Sequence, residues 1–172
     1  MSATWEESHV ARTDAGMCAL WQPEHFTAVT DLDSWENEVA EDDRLVAHMR
    51  DGAFVPLNVG GDGSWQVVVR RGGLTARESR YRLVSSEPYL LVSRGAVALG
   101  GLEDVGDDPP TMLPLEAGRY AVTVHLIEWD AEPGALGPEG NPTERALSDF
   151  VVEVGAAGDG PYRTRVETFD RP

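Results

Sequence analysis

The chain has 172 residues, of which 41% are hydrophobic and 26% charged, a composition typical of a folded globular protein rather than a disordered one. Its 14 basic residues, all arginine, face 30 acidic ones, and the formal net charge of −16 disfavours binding to nucleic acids or anionic membranes. A single cysteine, Cys18, excludes an internal disulfide and a cysteine-built metal cage. The acidic charge favours a basic protein as a partner, or serves only to keep the protein soluble.

The first residues and the length of the chain indicate its domain organisation. Residues 1–18 are polar and lack a sustained period, which predicts a partly ordered lead-in. The remainder, 19–172, has the length of one domain. No apolar run reaches the length of a membrane span, and the N-terminus lacks the pattern of a secretion signal, so we expect a cytoplasmic protein.

The acidic segment 31–51 is the predicted helical region. Ser34 can cap its first turn. One helical face is approximated by Trp35, Val39, Val46 and Met49. The cluster Glu41-Asp42-Asp43 interrupts that face, so one continuous helix and two short helical segments are both compatible with the pattern. We predict a helix over Asp42–Arg50 in either case.

The rest of the chain reads as short strands separated by glycine and proline turns. From N- to C-terminus, the predicted strands cover residues 19–30, 53–59, 64–71, 77–86, 89–93, 96–99, the run that follows Gly118, 148–154 and 162–169. Two hairpins are expected, one across Gly60 to Gly63 and one about Arg94-Gly95. The pattern predicts a mainly β fold, an antiparallel β-sandwich of about eight strands with one short helix.

The stretch 113–130 is the predicted central strand. A turn at 114–118 precedes a run rich in β-branched and aromatic residues, and neither face of that run is strongly polar. The pattern Leu-x-Leu-x-x-Gly-x-Tyr ending at Tyr120 is typical of a tyrosine corner, in which the tyrosine hydroxyl ties a strand to the preceding loop. We therefore predict a structural role for Tyr120 rather than a binding role.

No catalytic, metal or cofactor motif is present. The four histidines, His9, His25, His48 and His125, show no ligand spacing. Asp104, Asp107 and Asp108 could supply oxygen ligands to calcium but match no known loop. Ser85 and Ser86 have no nucleophile elbow and no histidine near them in sequence. We predict no catalytic residue, no metal and no cofactor.

Two groups of residues are candidate contacts for a partner. The first comprises Asp31, Asp33, Glu41, Asp42 and Asp43, and the second comprises Trp129, Asp130 and Glu132. An aromatic ring beside carboxylates suits a cationic ligand or an arginine-rich protein. The alternatives are a plain solvated acidic surface for the first group and packing of Trp129 under its own loop for the second.

Three short segments resemble the small bacterial competence-nuclease inhibitor family and, more loosely, the immunity proteins that neutralise toxins. They are Glu24-His25-Phe26-Thr27, Asp51-Gly52-Ala53-Phe54 and Leu115-Glu116-Ala117-Gly118-Arg119-Tyr120. The resemblance implies a β-sandwich that inhibits by binding. The chain departs from the family in the segment 31–51 and in its longer C-terminus, and uncharacterised bacterial proteins are an alternative match.

These observations favour a non-enzymatic binding protein, an inhibitor or immunity factor that occludes a basic protein. One alternative is a small-molecule or sugar-binding domain whose pocket is walled by Trp65, Tyr89 and Trp129. Another is a metal-dependent enzyme, which would need a spatial cluster of His25, His48 or His125 with carboxylates.

Overall fold

A computed structural model describes residues 5–106 and 109–170. Within these residues there are eight β-strands and three α-helices. In chain order they are β1 Glu6–Thr13, β2 Cys18–Trp21, α1 Leu32–Glu38, α2 Asp42–Arg50, β3 Phe54–Leu57, β4 Gly63–Arg71, α3 Ala76–Arg80, β5 Arg82–Ser85, β6 Tyr89–Gly101, β7 Thr111–Ile127 and β8 Phe150–Ala156. The prediction of a mainly β fold is confirmed, but the described chain has three short helices instead of one. None of these helices has the length and apolarity that crossing a bilayer requires.

The eight strands form one mixed sheet in the order β1-β4-β8-β7-β6-β2-β3, with β5 pairing to β7 off this path. All neighbouring pairs are antiparallel except β4 and β8, so the predicted wholly antiparallel arrangement is wrong for this pair. A parallel pair needs a long connection, and the elements α3 to β7 supply it. The predicted sandwich is confirmed only in part, because the strands form one continuous sheet. Even so, β1 at one end of the strand order contacts β2 and β6 near the other end.

The long strand β7 is central, as predicted, since it pairs with β6, β8 and β5. The predicted turn at 114–118 belongs to this strand, and the predicted hairpin at Arg94-Gly95 is a register shift within the single strand β6. The Tyr120 hydroxyl donates to the backbone carbonyl oxygen of Glu116 at 2.5 Å. The structural role predicted for Tyr120 is therefore confirmed.

The helical prediction is confirmed over Asp42–Arg50, and the acidic segment contains two helices rather than one. The cap of α1 is Asp31, not Ser34: the Asp31 carboxylate accepts from the Ser34 backbone N–H at 2.8 Å, and Ser34 Oγ accepts from the Asp31 N–H at 3.0 Å. This reciprocal pair is a capping box. A second capping box, between Thr75 and Glu78, starts α3 in a region where a strand was predicted.

Four other segments differ from the sequence prediction. The strand predicted over 19–30 ends at Trp21, and a short 3-10 helix follows at Pro23–Phe26. β1 is a strand within residues for which only a lead-in is expected. β3 and β4 do not form the predicted hairpin, because β3 pairs with β2 while β4 pairs with β1 and β8. Residues 162–169 form no strand; there the buried Arg163 donates to Tyr89 Oη at 3.1 Å and to the Glu167 carbonyl oxygen at 2.7 Å.

In the described part of the chain, a hydrophobic cluster extends between the strands and the helices α1 and α2. Its largest fully buried side chains include Trp21, Phe54, Tyr89 and Phe150. Cys18 lies in this cluster, and burial raises the pKa of its thiol to about 12, which keeps the sulfur protonated and unreactive. Its buried position on β2 therefore gives this cysteine a packing role.

Candidate protein-binding surface

The first group of predicted contact residues lies on α1, α2 and the break between them. Asp31 caps α1, Asp33 lies in its first turn, and Glu41 precedes the Asp42 and Asp43 pair that opens α2. All five side chains are exposed. Residues 31–43 contain seven acidic residues and no arginine, so this surface, which we call the helical acidic surface, has a strongly negative local charge.

A groove of about 410 Å³ opens beside the N-terminus of α1. Its lining residues are Val29, Thr30, Asp31, Leu32, Trp35, Glu103 and Val105. Val29 and Val105 are buried and form the apolar base, whereas Leu32 is 68% exposed. The Trp35 indole N–H donates to the Leu102 carbonyl oxygen at 3.1 Å, which fixes the ring in place.

Two carboxylates at the edge of this groove are held in fixed positions. The backbone and hydroxyl groups of Ser34 donate to Asp31 and lower its pKa. Glu103 accepts from the Thr13 hydroxyl at 2.8 Å and from the Asp14 N–H at 2.6 Å. Burial alone would raise the pKa of Glu103, but these hydrogen bonds outweigh burial and the pKa is lowered. Both groups are therefore ionised at neutral pH.

The second group of predicted residues lies in a different part of the molecule. Trp35 donates to Leu102, which follows the C-terminal end of β6, and that end of β6 pairs with the start of β7. Trp129 instead follows the other end of β7. Trp129 is half-buried and donates to the Asp149 carboxylate at 2.8 Å, while Asp130 is exposed. The structure therefore does not bring the two groups together.

The Glu132 carboxylate is already occupied within the chain. The guanidinium group of Arg77 donates to both of its oxygens, and this interaction lowers the pKa of Glu132. Because the pair joins α3 to the loop that follows β7, Glu132 anchors that loop. Its carboxylate is consequently less available to a partner than the exposed acids of the helices.

The alternative pocket walled by Trp65, Tyr89 and Trp129 is not formed. Tyr89 is wholly buried, and its hydroxyl donates to the Arg165 carbonyl oxygen at 2.9 Å. Trp65 packs against the hydrophobic core from β4. A side chain that is fully enclosed by protein cannot line an open ligand pocket.

Two of the four histidines, His25 and His48, contact each other. His48 Nε2 lies 2.8 Å from the Glu38 carbonyl oxygen, and His48 Nδ1 lies 3.0 Å from His25 Nε2. Because a carbonyl only accepts, Nε2 carries the proton of neutral His48, and Nδ1 accepts from His25. No cluster of three or more histidine, cysteine or carboxylate groups in the described chain is arranged to hold a metal ion. Asp107 and Asp108 lie outside the described residues.

A third histidine has partners that are distant in sequence. His125 Nδ1 lies 2.6 Å from Ser85 Oγ, and His125 Nε2 lies 3.0 Å from Glu153 Oε1. Arg82 also donates to Ser85 Oγ at 3.0 Å. The result is a continuous hydrogen-bonded chain across β5, β7 and β8 that satisfies a histidine only 7% exposed. Sequence reasoning missed this contact because Ser85 and His125 are 40 residues apart.

The groove was also not predicted from the sequence, although the sequence contains one signal for it. Leu32 stands between two aspartates and falls outside the helical face proposed for the segment, so an exposed apolar side chain could have been anticipated. Glu103 could not, because its hydrogen-bond partners Thr13 and Asp14 are about 90 residues away in the chain.

Two solved structures have a similar fold. The protein described as "Crocagin biosynthetic gene J" aligns with a TM-score of 0.56 and 18% sequence identity over 91% of this chain and 99% of that chain. ComJ from Bacillus subtilis, an inhibitor of the DNA-degrading activity of NucA, aligns with a TM-score of 0.52 and 8% identity at the same coverage. No family model and no curated protein matches the chain. The resemblance to the competence-nuclease inhibitor family is confirmed for the fold, and at these identities for the fold alone.

Proposed function

We propose that the chain is a protein-binding inhibitor that uses the helical acidic surface to occlude a basic protein, and that the target is a DNA-degrading enzyme. The single observation that carries this proposal is the exposure of a dense set of carboxylates beside an apolar groove. The fold shared with ComJ supports the choice of target class. An enzyme that acts on DNA presents a basic surface to phosphates, and an acidic protein complements that surface.

The mechanism has two parts. The net charge of −16 attracts a basic partner from a distance and speeds association, an effect that salt weakens. Close contact along α1 and α2 then covers the surface that would hold the DNA. We place the contact there rather than at Glu132, because Arg77 already binds that carboxylate.

The test is an inhibition titration. Purified protein is added to a lysate of the source organism, and the degradation of plasmid DNA is followed on a gel. We expect degradation to fall with added protein and to recover when the salt concentration is raised. A variant with Asp33→Asn, Glu41→Gln, Asp42→Asn and Asp43→Asn should lose most of the inhibition, since it keeps the Asp31 cap but removes four charges.

A control variant separates the helical acidic surface from net charge. The substitutions Glu116→Gln, Glu139→Gln, Glu144→Gln and Asp159→Asn change the total charge by the same amount at exposed positions elsewhere. This variant should inhibit nearly as well as the unmodified protein. Equal losses in the two variants, or no inhibition at any concentration of the unmodified protein, would overturn the proposal.

A further inference from the structure

The groove beside α1 combines two features that suit different ligands when taken separately. Its base is apolar, with Val29 and Val105 buried and Leu32 exposed above them. Its edge carries the carboxylates of Asp31 and Glu103. A purely apolar ligand would desolvate these charges without compensation, and a small hydrated cation would leave the apolar surface in contact with water.

We propose that this groove receives an arginine side chain of the partner protein. The alkyl stem of arginine packs on Val29, Leu32 and Val105, while its guanidinium group pairs with Asp31 and Glu103. This inference rests on the proposed function, and it adds the specificity that charge alone does not provide.

The fixed positions of the two carboxylates favour such a ligand. Ser34 holds Asp31, and the Thr13 hydroxyl with the Asp14 N–H holds Glu103, so neither acid must be ordered when a cation binds. Binding to prearranged groups avoids much of the entropy cost of immobilising side chains. The hydrogen bonds that each carboxylate accepts leave further lone pairs for a guanidinium group.

Arginine fits the groove better than lysine does. A guanidinium group is planar, is weakly hydrated and stacks on aromatic rings, and Trp35 supplies such a ring in the lining. An ammonium group is compact and strongly hydrated, so it gains less from the apolar base. A partner that presents arginine is therefore preferred to one of equal charge that presents lysine.

The experiment is an NMR titration of the full chain with three synthetic peptides. The peptides are acetyl-Ala-Ala-Xaa-Ala-Ala-amide with arginine, lysine or norleucine at the central position. We expect the arginine peptide to shift the Leu32 methyl and Trp35 indole signals and to bind about threefold more tightly than the lysine peptide. The norleucine peptide, which has a stem but no charge, should bind weakest.

Matched variants locate the site. Asp31→Asn retains an oxygen that can cap α1 and should weaken arginine binding about two- to fourfold by removing one charge. Glu139→Gln removes one charge at an exposed position away from the groove lining and the helical acidic surface, and should leave binding nearly unchanged. Leu32→Ala, at an exposed position, should weaken the arginine and norleucine peptides alike.

The outcomes distinguish this inference from the proposed function. Equal binding of the arginine and lysine peptides, with shifts spread over Glu41 to Asp43, would overturn the arginine site and leave an inhibitor that acts through charge alone. Equal effects of Asp31→Asn and Glu139→Gln would overturn it as well. Failure of the inhibition titration, with localised arginine binding intact, would instead remove the proposed target and keep the site.

Discussion

Tyr120 shows how one side chain can stabilise a long strand where its pairing is irregular. Its ring is 6% exposed, and its hydroxyl donates to the Glu116 carbonyl oxygen four residues earlier in β7. Arg71 adds a cation over the ring, with its guanidinium carbon 5.2 Å from the ring centroid. The bond lies where β6 shifts register opposite β7, so it stabilises the strand at its most irregular point.

Removal of this hydroxyl tests the structural role of Tyr120. We expect Tyr120→Phe to lower the free energy of unfolding by about 1 kcal/mol, because a carbonyl loses its partner in a largely buried setting. Chemical denaturation measures the difference. Tyr162→Phe is the matched control, since Tyr162 donates to the Gly158 carbonyl oxygen four residues earlier at an exposed position. A loss for Tyr162→Phe as large as that for Tyr120→Phe would contradict the account.

The carboxylates show what can be inferred from sequence at the residue scale. Asp31 is a predicted contact residue, but the cap was predicted at Ser34; in the structure Asp31 is the N-cap and Ser34 its partner in the capping box. The bonds that fix Glu103 could not be inferred, because they join residues far apart in the chain. Local hydrogen bonds leave a sequence signature, whereas the partners of a folded loop do not.

At the scale of elements, the contact between His25 and α2 depends on a neutral His48, whose Nδ1 accepts the hydrogen bond. Burial lowers the pKa of His48, and the nearby His25 and Arg44 act in the same direction against Glu38. Protonation of Nδ1 would remove the acceptor that His25 uses, so the hydrogen bond would persist only if His25 moved its own proton to Nδ1. The folded state therefore binds this proton less readily than the unfolded chain.

The sign of the pH effect follows from this difference. As the pH falls below about 6.5, the unfolded chain takes up a proton on His48 that the folded chain resists, so stability falls. We expect the thermal unfolding midpoint to drop between about pH 7.5 and pH 5.5, and to drop less in His48→Gln, which cannot titrate there. His9→Gln, a histidine substitution on β1, should keep the full pH dependence. An unchanged pH dependence in His48→Gln would show that this contact does not titrate as described.

The strands show why pairing is harder to predict than strand existence. Alternation and β-branched residues located most strands, including β7 and β8, but both predicted hairpins were wrong. Gly60 to Gly63 and Arg94-Gly95 are turn sequences, and turn sequences favour local pairing. The sheet instead pairs β4 with β1 and β8 and continues β6 through its register shift, which are contacts set by the whole fold.

For the whole molecule, the pattern of strand-forming residues and glycines predicted a mainly β fold, which is confirmed. The resemblance, confirmed for the fold, came from three short segments. The parallel pairing of β4 with β8 joins residues about 80 positions apart, and no local pattern encodes it. Function is a different matter. The fold is shared with an inhibitor at 8% identity, so the target must be inferred from the charge and shape of this chain's own surface.

The measurement that tests the central claim most directly is an affinity capture with a functional readout. The unmodified protein and the two four-residue charge variants are immobilised separately, exposed to lysate at low salt and eluted with high salt, and each eluate is assayed for DNA degradation. We predict a basic protein with DNA-degrading activity in the eluates of the unmodified protein and the control variant, and its loss from the eluate of the variant of α1 and α2. Recovery of that activity equally from all three, or from none, would contradict the claim.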